Sequence, residues 1–292
     1  MQHTIENEHL ICTIASNGAE VRSLKNKATG EEYIWQINPN VWGSSAPVLF
    51  PAIGKIKEDR IVYNGKDFAM SKHGIIRNND LLLFEKKSDS ACSFSLESSE
   101  ATFKQYPFKF KFSVVFSLVE NRLLMEYVVE NKDDVPMHFC CGGHTAYAIP
   151  LNEKTKLSDY VIEFPEKIDL NARKLGASGL LSDVERNIPT EANCLTLSAT
   201  LFNEDALIFP NISYDWVRLR KKAAEKGVLV RFSGYPNLAF WSKPGADFIC
   251  IEPWLGLPDH EEESIHITEK ATYQSIAPNE TFKITIETEV EG

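Results

Sequence analysis

The sequence lacks the features that would place the protein in a membrane or in an oxidising compartment. It has no apolar run approaching the roughly 20 residues that a membrane-spanning helix requires. The N-terminus has no basic segment followed by an apolar one, so we expect no signal peptide. There is no Cys-x-x-Cys motif, and therefore no sign of a zinc or dithiol site of that type. We expect a cytoplasmic protein without a membrane partner.

The chain has fewer positively charged residues than negatively charged ones. The chain of 292 residues has 31 Lys and Arg against 41 Asp and Glu, which gives a net charge of −10. Nucleic acids and anionic membranes are bound through basic surfaces, so this balance argues against both as partners. Hydrophobic residues make up 43% and charged residues 25%, proportions that are ordinary for a globular protein with a large core.

The six cysteines are scattered, and several of them lie inside apolar segments. This distribution is typical of free, buried thiols in a reducing environment. We expect all of them to be reduced. They are Cys12, Cys92, Cys140, Cys141, Cys194 and Cys250.

Helical periodicity extends over no more than a turn or two anywhere in the chain. Ser99–Tyr106 and Lys221–Lys226 are the best short candidates for helices. Turn signals instead recur at short spacing. The strongest is Asn64-Gly65 between Arg60–Tyr63 and Lys66–Met70, because a tight hairpin turn needs positive φ at both central residues.

Strand-like alternation of apolar and polar residues dominates the chain. It is clearest in Phe108–Val119, where one face carries only large apolar side chains. Further predicted strands include Tyr33–Trp35, Met137–Ile149, Ala206–Phe209 and Phe248–Glu252. No linker, repeat or low-complexity tract divides the chain. The pattern predicts an all-β protein, a large antiparallel β-sandwich, in which residues 1–292 form a single domain.

The end of one predicted strand indicates a buried carboxylate. Four apolar residues precede Glu252, and Pro253 and Trp254 follow it. Pro253 disfavours helix at Glu252 and lacks a donor, so we expect regular strand pairing to stop there. Alternation places Glu252 on the same face as Cys250. Burial raises the pKa of a carboxyl and makes it a better base near neutral pH. A strand-end Glu paired with a surface Lys is the plainer alternative.

Three other segments place polar residues beside glycine or at the mouth of an apolar strand. They contain His73 and Arg77 around Gly74, His144 after Gly142-Gly143, and Asp205 before a predicted strand. Glycine within a strand often marks a bulge or the close approach of a ligand. The plainer interpretations are a core histidine, an arginine paired with any acid, and an aspartate that caps a turn. The spacing of His138 and His144 does not suit one strand face, so we expect no metal site.

Six short motifs occur in order along nearly the whole chain, from about Ile5 to Glu287. They are Gly18…Leu24-x-Asn26-x5-Tyr33-x-Trp35, Pro47-Val48-Leu49-Phe50-Pro51-x-x-Gly54, His73-Gly74-x-x-Arg77, Pro107-Phe108, Gly143-His144-Thr145-x-Tyr147 and Ile251-Glu252-Pro253-Trp254. None is specific alone. Their order resembles that of the aldose 1-epimerases, the galactose mutarotase-like proteins, and the LacX-like branch is the most similar.

The resemblance implies a galactose mutarotase-like supersandwich whose concave face binds a sugar. The family's base matches Glu252, and its acid matches His144. Residues that match sugar-binding positions are His73, Arg77 and, by its place before a strand, Asp205. Trp254 is a further substrate-binding candidate because aromatic rings stack on sugar faces, although a core role is its plainer interpretation. Gly143 stands where galactose mutarotases carry Asn, so a hydrogen bond that orients His144 is missing or replaced.

The implied activity is aldose 1-epimerisation, the interconversion of the α and β anomers of a free aldohexose. This reaction moves protons and opens one hemiacetal, so it needs no cofactor. A Glu with a raised pKa and a His titrating near neutrality suit it. The alternatives are a non-catalytic carbohydrate-binding protein and a hexose-6-phosphate 1-epimerase. A glycoside hydrolase would need a second carboxylate, and only Asp205 is available to partner Glu252.

The segment Trp42–Pro47 bears on the choice between a free and a phosphorylated sugar. The phosphate-using branch that the chain also resembles carries an arginine there, whereas this segment has no cation. A phosphate normally needs two charge-assisted partners, and Arg77 has only Lys55 or Arg22 as possible helpers. We therefore expect a preference for free aldoses. The expected partner is a small-molecule sugar, and the expected assembly is a monomer or homodimer.

Overall fold

The computed structural model describes residues 1–150 and 155–291. Its named strands pair antiparallel in a nine-stranded sheet, an eight-stranded sheet and three smaller sheets. Buried apolar side chains from both large sheets form one continuous cluster between them, with Phe112 and Tyr127 on one side and Phe240 and Ile251 on the other. The prediction of an all-β, antiparallel β-sandwich is confirmed.

The nine-stranded sheet contains the strand that the sequence marks most clearly. Its strands, numbered in chain order and given in spatial order, are β17 (Cys194–Thr196), β14 (Tyr160–Glu163), β19 (Trp216–Lys221), β20 (Val228–Arg231), β24 (Thr281–Val290), β10 (Arg122–Asn131), β9 (Phe110–Val119), β8 (Ala91–Glu97) and β7 (Leu83–Lys86). The even-numbered residues of β9 from Phe110 to Leu118 are all buried. Each such side chain contributes about 1.5–3 kcal/mol by leaving water.

The eight-stranded sheet positions the residues of interest. Its strands in spatial order are β16 (Leu181–Ile188), β15 (Leu170–Leu175), β18 (Leu207–Phe209), β21 (Asn237–Trp241), β22 (Phe248–Trp254), β12 (Gly142–Gly143) and β4 (Val48–Leu49), and β13 (Thr145–Ala148) also pairs with β22. The predicted strand Met137–Ile149 is therefore broken into β11 (Met137–Phe139), β12 and β13.

The remaining elements are short. The small sheets comprise β1 (Gln2–Glu6), β2 (Leu10–Ala15) and β3 (Glu20–Asn26); β5 (Arg60–Tyr63) and β6 (Lys66–Ala69); and β11 with β23 (Gln274–Ile276). Helix α1 (Glu100–Phe103) is capped by Ser99, whose hydroxyl accepts from the Thr102 amide. Single 3₁₀ turns cover Asn17–Ala19, Lys57–Asp59, Leu157–Asp159 and Ile267–Glu269. No helix in the described ranges is long and apolar enough to cross a membrane.

Two of the predicted elements do not form. Lys221–Lys226 is not helical: Lys221 ends β19, and a turn follows in which the Arg220 guanidinium donates to the carbonyls of Lys222 and Ala224. Those carbonyls have a side-chain donor, so they do not need the donors that a helix would supply. Tyr33–Trp35 forms only an isolated bridge rather than a strand.

Strand β22 is buried on both faces, as its apolar sequence predicts. Ile249 and Ile251 belong to the main core between the sheets, whereas Phe248 and Cys250 pack in a separate cluster on the opposite face. The prediction that strand pairing stops at Pro253 is wrong. Pairing with β21 continues through Pro253 to the end of the strand, since a proline removes a donor from one edge of a strand only.

All six cysteines lie in the described ranges, and none of them forms a disulfide. Five are buried, and Cys194 is partly exposed. Burial raises the pKa of the Cys250 thiol well above its ordinary range, and the nearby carboxyl of Glu252 adds to the rise. Burial also raises the pKa of the other five thiols.

Candidate active site

A cavity of about 580 Å³ opens on the face of the eight-stranded sheet that carries Cys250. This volume lies within the range of about 300–1,000 Å³ found for small-molecule sites. All six residues singled out in the sequence line it, although they come from distant parts of the chain. They are His73, Arg77, His144, Asp205, Glu252 and Trp254.

Glu252 and His144 face each other across adjacent strands. Ile251 pairs with Thr145 and Trp254 pairs with Gly142, so the same register places Glu252 opposite His144. Nε2 of His144 lies 3.3 Å from Oε2 of Glu252. The two residues are 8% and 1% exposed, and Oε2 has no hydrogen-bond partner among the described residues. A carboxyl and an imidazole thus meet at the cavity with unsatisfied hydrogen-bonding capacity.

Burial shifts the proton affinities of this pair in opposite directions. It raises the pKa of Glu252 well above its usual value, an effect that Lys72 and Arg77 oppose and Asp205 reinforces. It lowers the pKa of His144 to about 3, helped by the positive charge of Arg77. The raised pKa of Glu252 was expected. The expectation that His144 titrates near neutrality is wrong, because desolvation disfavours the imidazolium.

Aromatic contacts hold the ring of His144. Trp42 stacks on it with ring centroids 5.2 Å apart, and Trp241 and His73 contact it edge-on at 5.8 and 5.6 Å. Nδ1 of His144 has no hydrogen-bond partner in the described part of the chain. The orienting hydrogen bond that was expected to be missing or replaced is therefore missing, and ring packing takes its place.

The glycines before His144 lie close against other segments of the protein. A Cβ on Gly142 would lie 2.6 Å from the carbonyl oxygen of Pro253, and one on Gly143 would lie 2.8 Å from Cδ1 of Ile286. Both distances are shorter than van der Waals contact. The close approach that glycine in this strand indicates is thus between protein segments. It lets β12 lie against β22 and brings His144 opposite the carboxyl.

His73 is buried and has one defined tautomer. Its Nδ1 accepts a hydrogen bond from the Gly54 amide at 3.1 Å, so the neutral ring carries its proton on Nε2. Burial lowers the pKa of His73 well below its usual value, and His144 adds to the effect. Gly74 follows at φ 81, where a Cβ would overlap the Phe50 carbonyl. The turn therefore presents a fixed N–H donor at the cavity.

A buried ion pair supports the turn that contains Gly54. The ammonium of Lys270 donates to the carboxylate of Asp259, and both side chains are almost fully buried. The same carboxylate accepts from the Lys57 amide at 2.9 Å, and the Asp259 amide donates to the Lys55 carbonyl at 3.0 Å. These bonds hold the segment that directly follows Gly54, the residue whose amide donates to the ring of His73.

The other three predicted residues differ in their exposure and in the partners that they already have. Arg77 is half-buried, its Nε has no hydrogen-bond partner, and it forms no ion pair within the described ranges. Asp205 is exposed and accepts from the Ala206 amide at 2.8 Å, so it caps a turn while also lining the cavity. Trp254 is 3% exposed and packs with Leu49. Most of the Trp254 side chain is thus packed in the core, as its plainer interpretation predicted.

The sequence analysis missed two cationic residues of the cavity, Lys72 and Lys243. Together with Lys55 they line the cavity beside Arg77, so the expectation that Arg77 has few cationic neighbours is wrong. Of the two possible helpers, Lys55 is present, whereas Arg22 pairs with Glu20 at 2.9 Å. Lys72 directly precedes the motif that begins at His73, a position that could have drawn attention to it.

Comparison with known proteins agrees with this geometry. The model of the aldose 1-epimerase family matches residues 1–283. The chain is 30% identical over 288 residues to the chromosomal protein LacX of Lactococcus lactis subsp. lactis, with 96% of each chain covered. The plasmid-borne LacX of the same organism matches equally well.

Solved structures support the same assignment. A galactose mutarotase related enzyme from Lactobacillus acidophilus has a TM-score of 0.92 at 32% identity, covering 100% of this chain and 98% of that one. A galactose mutarotase-like protein from Lactobacillus casei has a TM-score of 0.92 at 30% identity, with both chains fully covered. The chain therefore belongs to the aldose 1-epimerase family, with LacX among its relatives.

Proposed function

We propose that the protein is an aldose 1-epimerase that interconverts the anomers of a free aldohexose. The observation that carries the proposal is the contact between Glu252 and His144, two buried residues that line a cavity of sugar-binding size. Mutarotation requires one group that takes a proton and one that gives a proton on either side of the anomeric carbon. A carboxyl and an imidazole in contact supply that combination.

The reaction follows from one proton shared by this pair. A carboxylate at Glu252 takes the proton from O1 while the imidazolium of His144 gives its proton to O5, and the C1–O5 bond breaks. After rotation about C1–C2 the aldehyde is attacked from its other face, with the two roles reversed. The neutral imidazole and protonated carboxyl that burial favours are the same pair after proton transfer, so either state can begin a cycle.

Other cavity residues are assigned to binding the sugar. The Nε2–H of His73 and the guanidinium of Arg77 are donors, and the carboxylate of Asp205 is an acceptor for hydroxyl groups. Trp42 and Trp241 form an apolar wall beside His144. Such a wall suits the C–H face of a hexose ring.

A hexose phosphate is the second candidate substrate, and the basic side chains of the cavity favour it. Lys55, Lys72 and Lys243 would supply the additional charge that a phosphate needs beside Arg77. We rank the free sugar first because Lys72 and Arg77 already act on the carboxyl of Glu252, where they oppose the rise in its pKa. The Glu252 carboxyl therefore competes with a phosphate for the positive charge of these two side chains.

Polarimetry tests the proposal. Fresh α-glucose and α-galactose should approach their equilibrium rotations faster with the protein than without it. Sugar binding without acceleration would instead assign a non-catalytic carbohydrate-binding role. Release of a reducing sugar from a saccharide would assign a glycosidase, for which Asp205 and Glu252 are the available carboxylates.

A further inference from the structure

A thiol lies beside the proposed acid–base pair and has no role in the proposed reaction. Cys250 shares a face of β22 with Glu252 and is fully buried. One ligand atom from each of His144, Cys250 and Glu252 can be chosen so that all three lie within 4.8 Å of one another. No other group of three such residues in the described ranges is arranged in this way.

The spacing is close to that of a tetrahedral metal centre. Bonds of about 2.0–2.3 Å to N, O and S place neighbouring ligand atoms roughly 3.3–3.8 Å apart in a tetrahedral zinc site. The imidazole and carboxylate atoms are already separated by 3.3 Å. Since all three atoms lie within 4.8 Å of one another, the largest separation exceeds the tetrahedral range by at most about 1 Å. Small side-chain rotations would close that difference.

One polar atom of the cluster also lacks a competing partner. Oε2 of Glu252 is buried without a hydrogen-bond donor among the described residues, so a cation would satisfy it. A site with imidazole and thiolate ligands selects zinc over magnesium or calcium. Three protein ligands leave the fourth position of a tetrahedral ion open, where water can bind. Lys72 and Arg77 on the cavity wall oppose a cation and limit its affinity.

We infer that His144, Cys250 and Glu252 form a binding site for a thiophilic divalent cation such as Zn²⁺, which blocks the acid–base pair. Binding displaces one proton from the thiol and one from the carboxyl, and no electrons are transferred. The bound ion carries two positive charges against two anionic ligands, so the site becomes neutral. The metal occupies the atoms that would move protons and therefore inhibits. Only the inhibition rests on the proposed function; the site itself does not.

Cobalt binding tests the site without any assay of activity. Co²⁺ added to the chelator-treated full-length protein should produce a thiolate-to-cobalt charge-transfer band at one equivalent. Cys250→Ala should lose this band, whereas Cys92→Ala, which removes a buried thiol from strand β8, should keep it. Absence of the band in the wild type, or its persistence in Cys250→Ala, would overturn the inference. Cys250→Ser repeats the test if the alanine variant does not fold by circular dichroism.

Inhibition provides a second measurement. Zn²⁺ should slow mutarotation by the wild type reversibly, with recovery on adding chelator. Cys250→Ala should keep its metal-free rate within about twofold and need at least tenfold more Zn²⁺ for half-inhibition. Equal sensitivity of the two proteins would contradict the inferred site. If the wild type does not catalyse mutarotation at all, the proposed function fails while the cobalt measurement still decides the metal site.

Discussion

Oε2 of Glu252 lies 3.3 Å from Nε2 of His144, and burial moves the pKa values of the two groups past each other. The carboxyl keeps its proton to higher pH than usual, and the imidazole accepts one only at low pH. Between these limits the pair holds a single proton. An enzyme that must donate and accept a proton in one cycle needs this singly protonated state.

The pH dependence of kcat/KM should reflect that state. Since the pKa of His144 is lowered to about 3, activity should not fall as the pH decreases from 7 to 5. It should fall on the alkaline side, as the pair loses its remaining proton through the raised pKa of Glu252. Polarimetry with subtraction of the uncatalysed rate measures the profile. A tenfold loss between pH 7 and 5 would contradict the lowered pKa of His144.

Thermal stability should show the cost of burying the carboxyl. The folded protein binds a proton at Glu252 at pH values where the unfolded chain does not, so stability falls as the pH rises from the unfolded pKa of about 4.5 to the raised folded value. Glu252→Gln does not carry this penalty. Its Tm relative to the wild type should therefore be higher at pH 8 than at pH 5, by roughly 2 °C for each kcal/mol. A difference independent of pH would show that the carboxyl is not perturbed by burial.

Trp42 should matter through the ring that it holds. Trp42→Ala removes the stacking partner of His144, and an aromatic pair contributes about 0.5–1.5 kcal/mol beyond burial. A loss of up to about tenfold in kcat/KM is expected, since 1.4 kcal/mol corresponds to a factor of ten. Trp216→Ala, on β19 of the other sheet, is the matched control. Equal effects of the two substitutions would indicate a general loss of stability.

Comparison of glucose with glucose 6-phosphate tests the choice of substrate. We predict that kcat/KM for free glucose at least equals that for the phosphate, because Lys72 and Arg77 act on Glu252. A kcat/KM at least tenfold higher for the phosphate, which corresponds to about 1.4 kcal/mol of transition-state binding, would contradict this prediction. In that case Lys243→Met should reduce the advantage, which would assign the basic rim of the cavity to phosphate binding.

The fold was predictable because its signals are local. Alternation in Phe108–Val119 and the turn at Asn64-Gly65 depend on neighbouring residues only, and both features are present in the structure. The failures have tertiary causes. Lys221–Lys226 is not helical because the Arg220 side chain donates to a carbonyl of this segment. Strand pairing continues past Pro253 because β21 pairs with the edge of β22 that does not need the missing proline donor.

The candidate site was predictable in its members but not in its electrostatics. Glu252 and His144 stand at interruptions of apolar strands, which a sequence displays directly. The low pKa of His144 depends on burial among residues from distant segments, including Trp42 and Arg77. Lys243 carries no sequence signal because exposed lysines are common. Its place at the cavity follows only from the path of the chain.

Mutarotation by Glu252→Gln tests the central claim most directly. Glutamine keeps the size of the side chain but cannot take or give the proton, so the variant should fold normally and change the rotation of fresh α-glucose at nearly the uncatalysed rate. Glu126→Gln, on β10 of the other sheet, should retain wild-type activity. If a folded Glu252→Gln protein keeps most of the wild-type rate, Glu252 is a structural residue and the proposed acid–base pair is wrong.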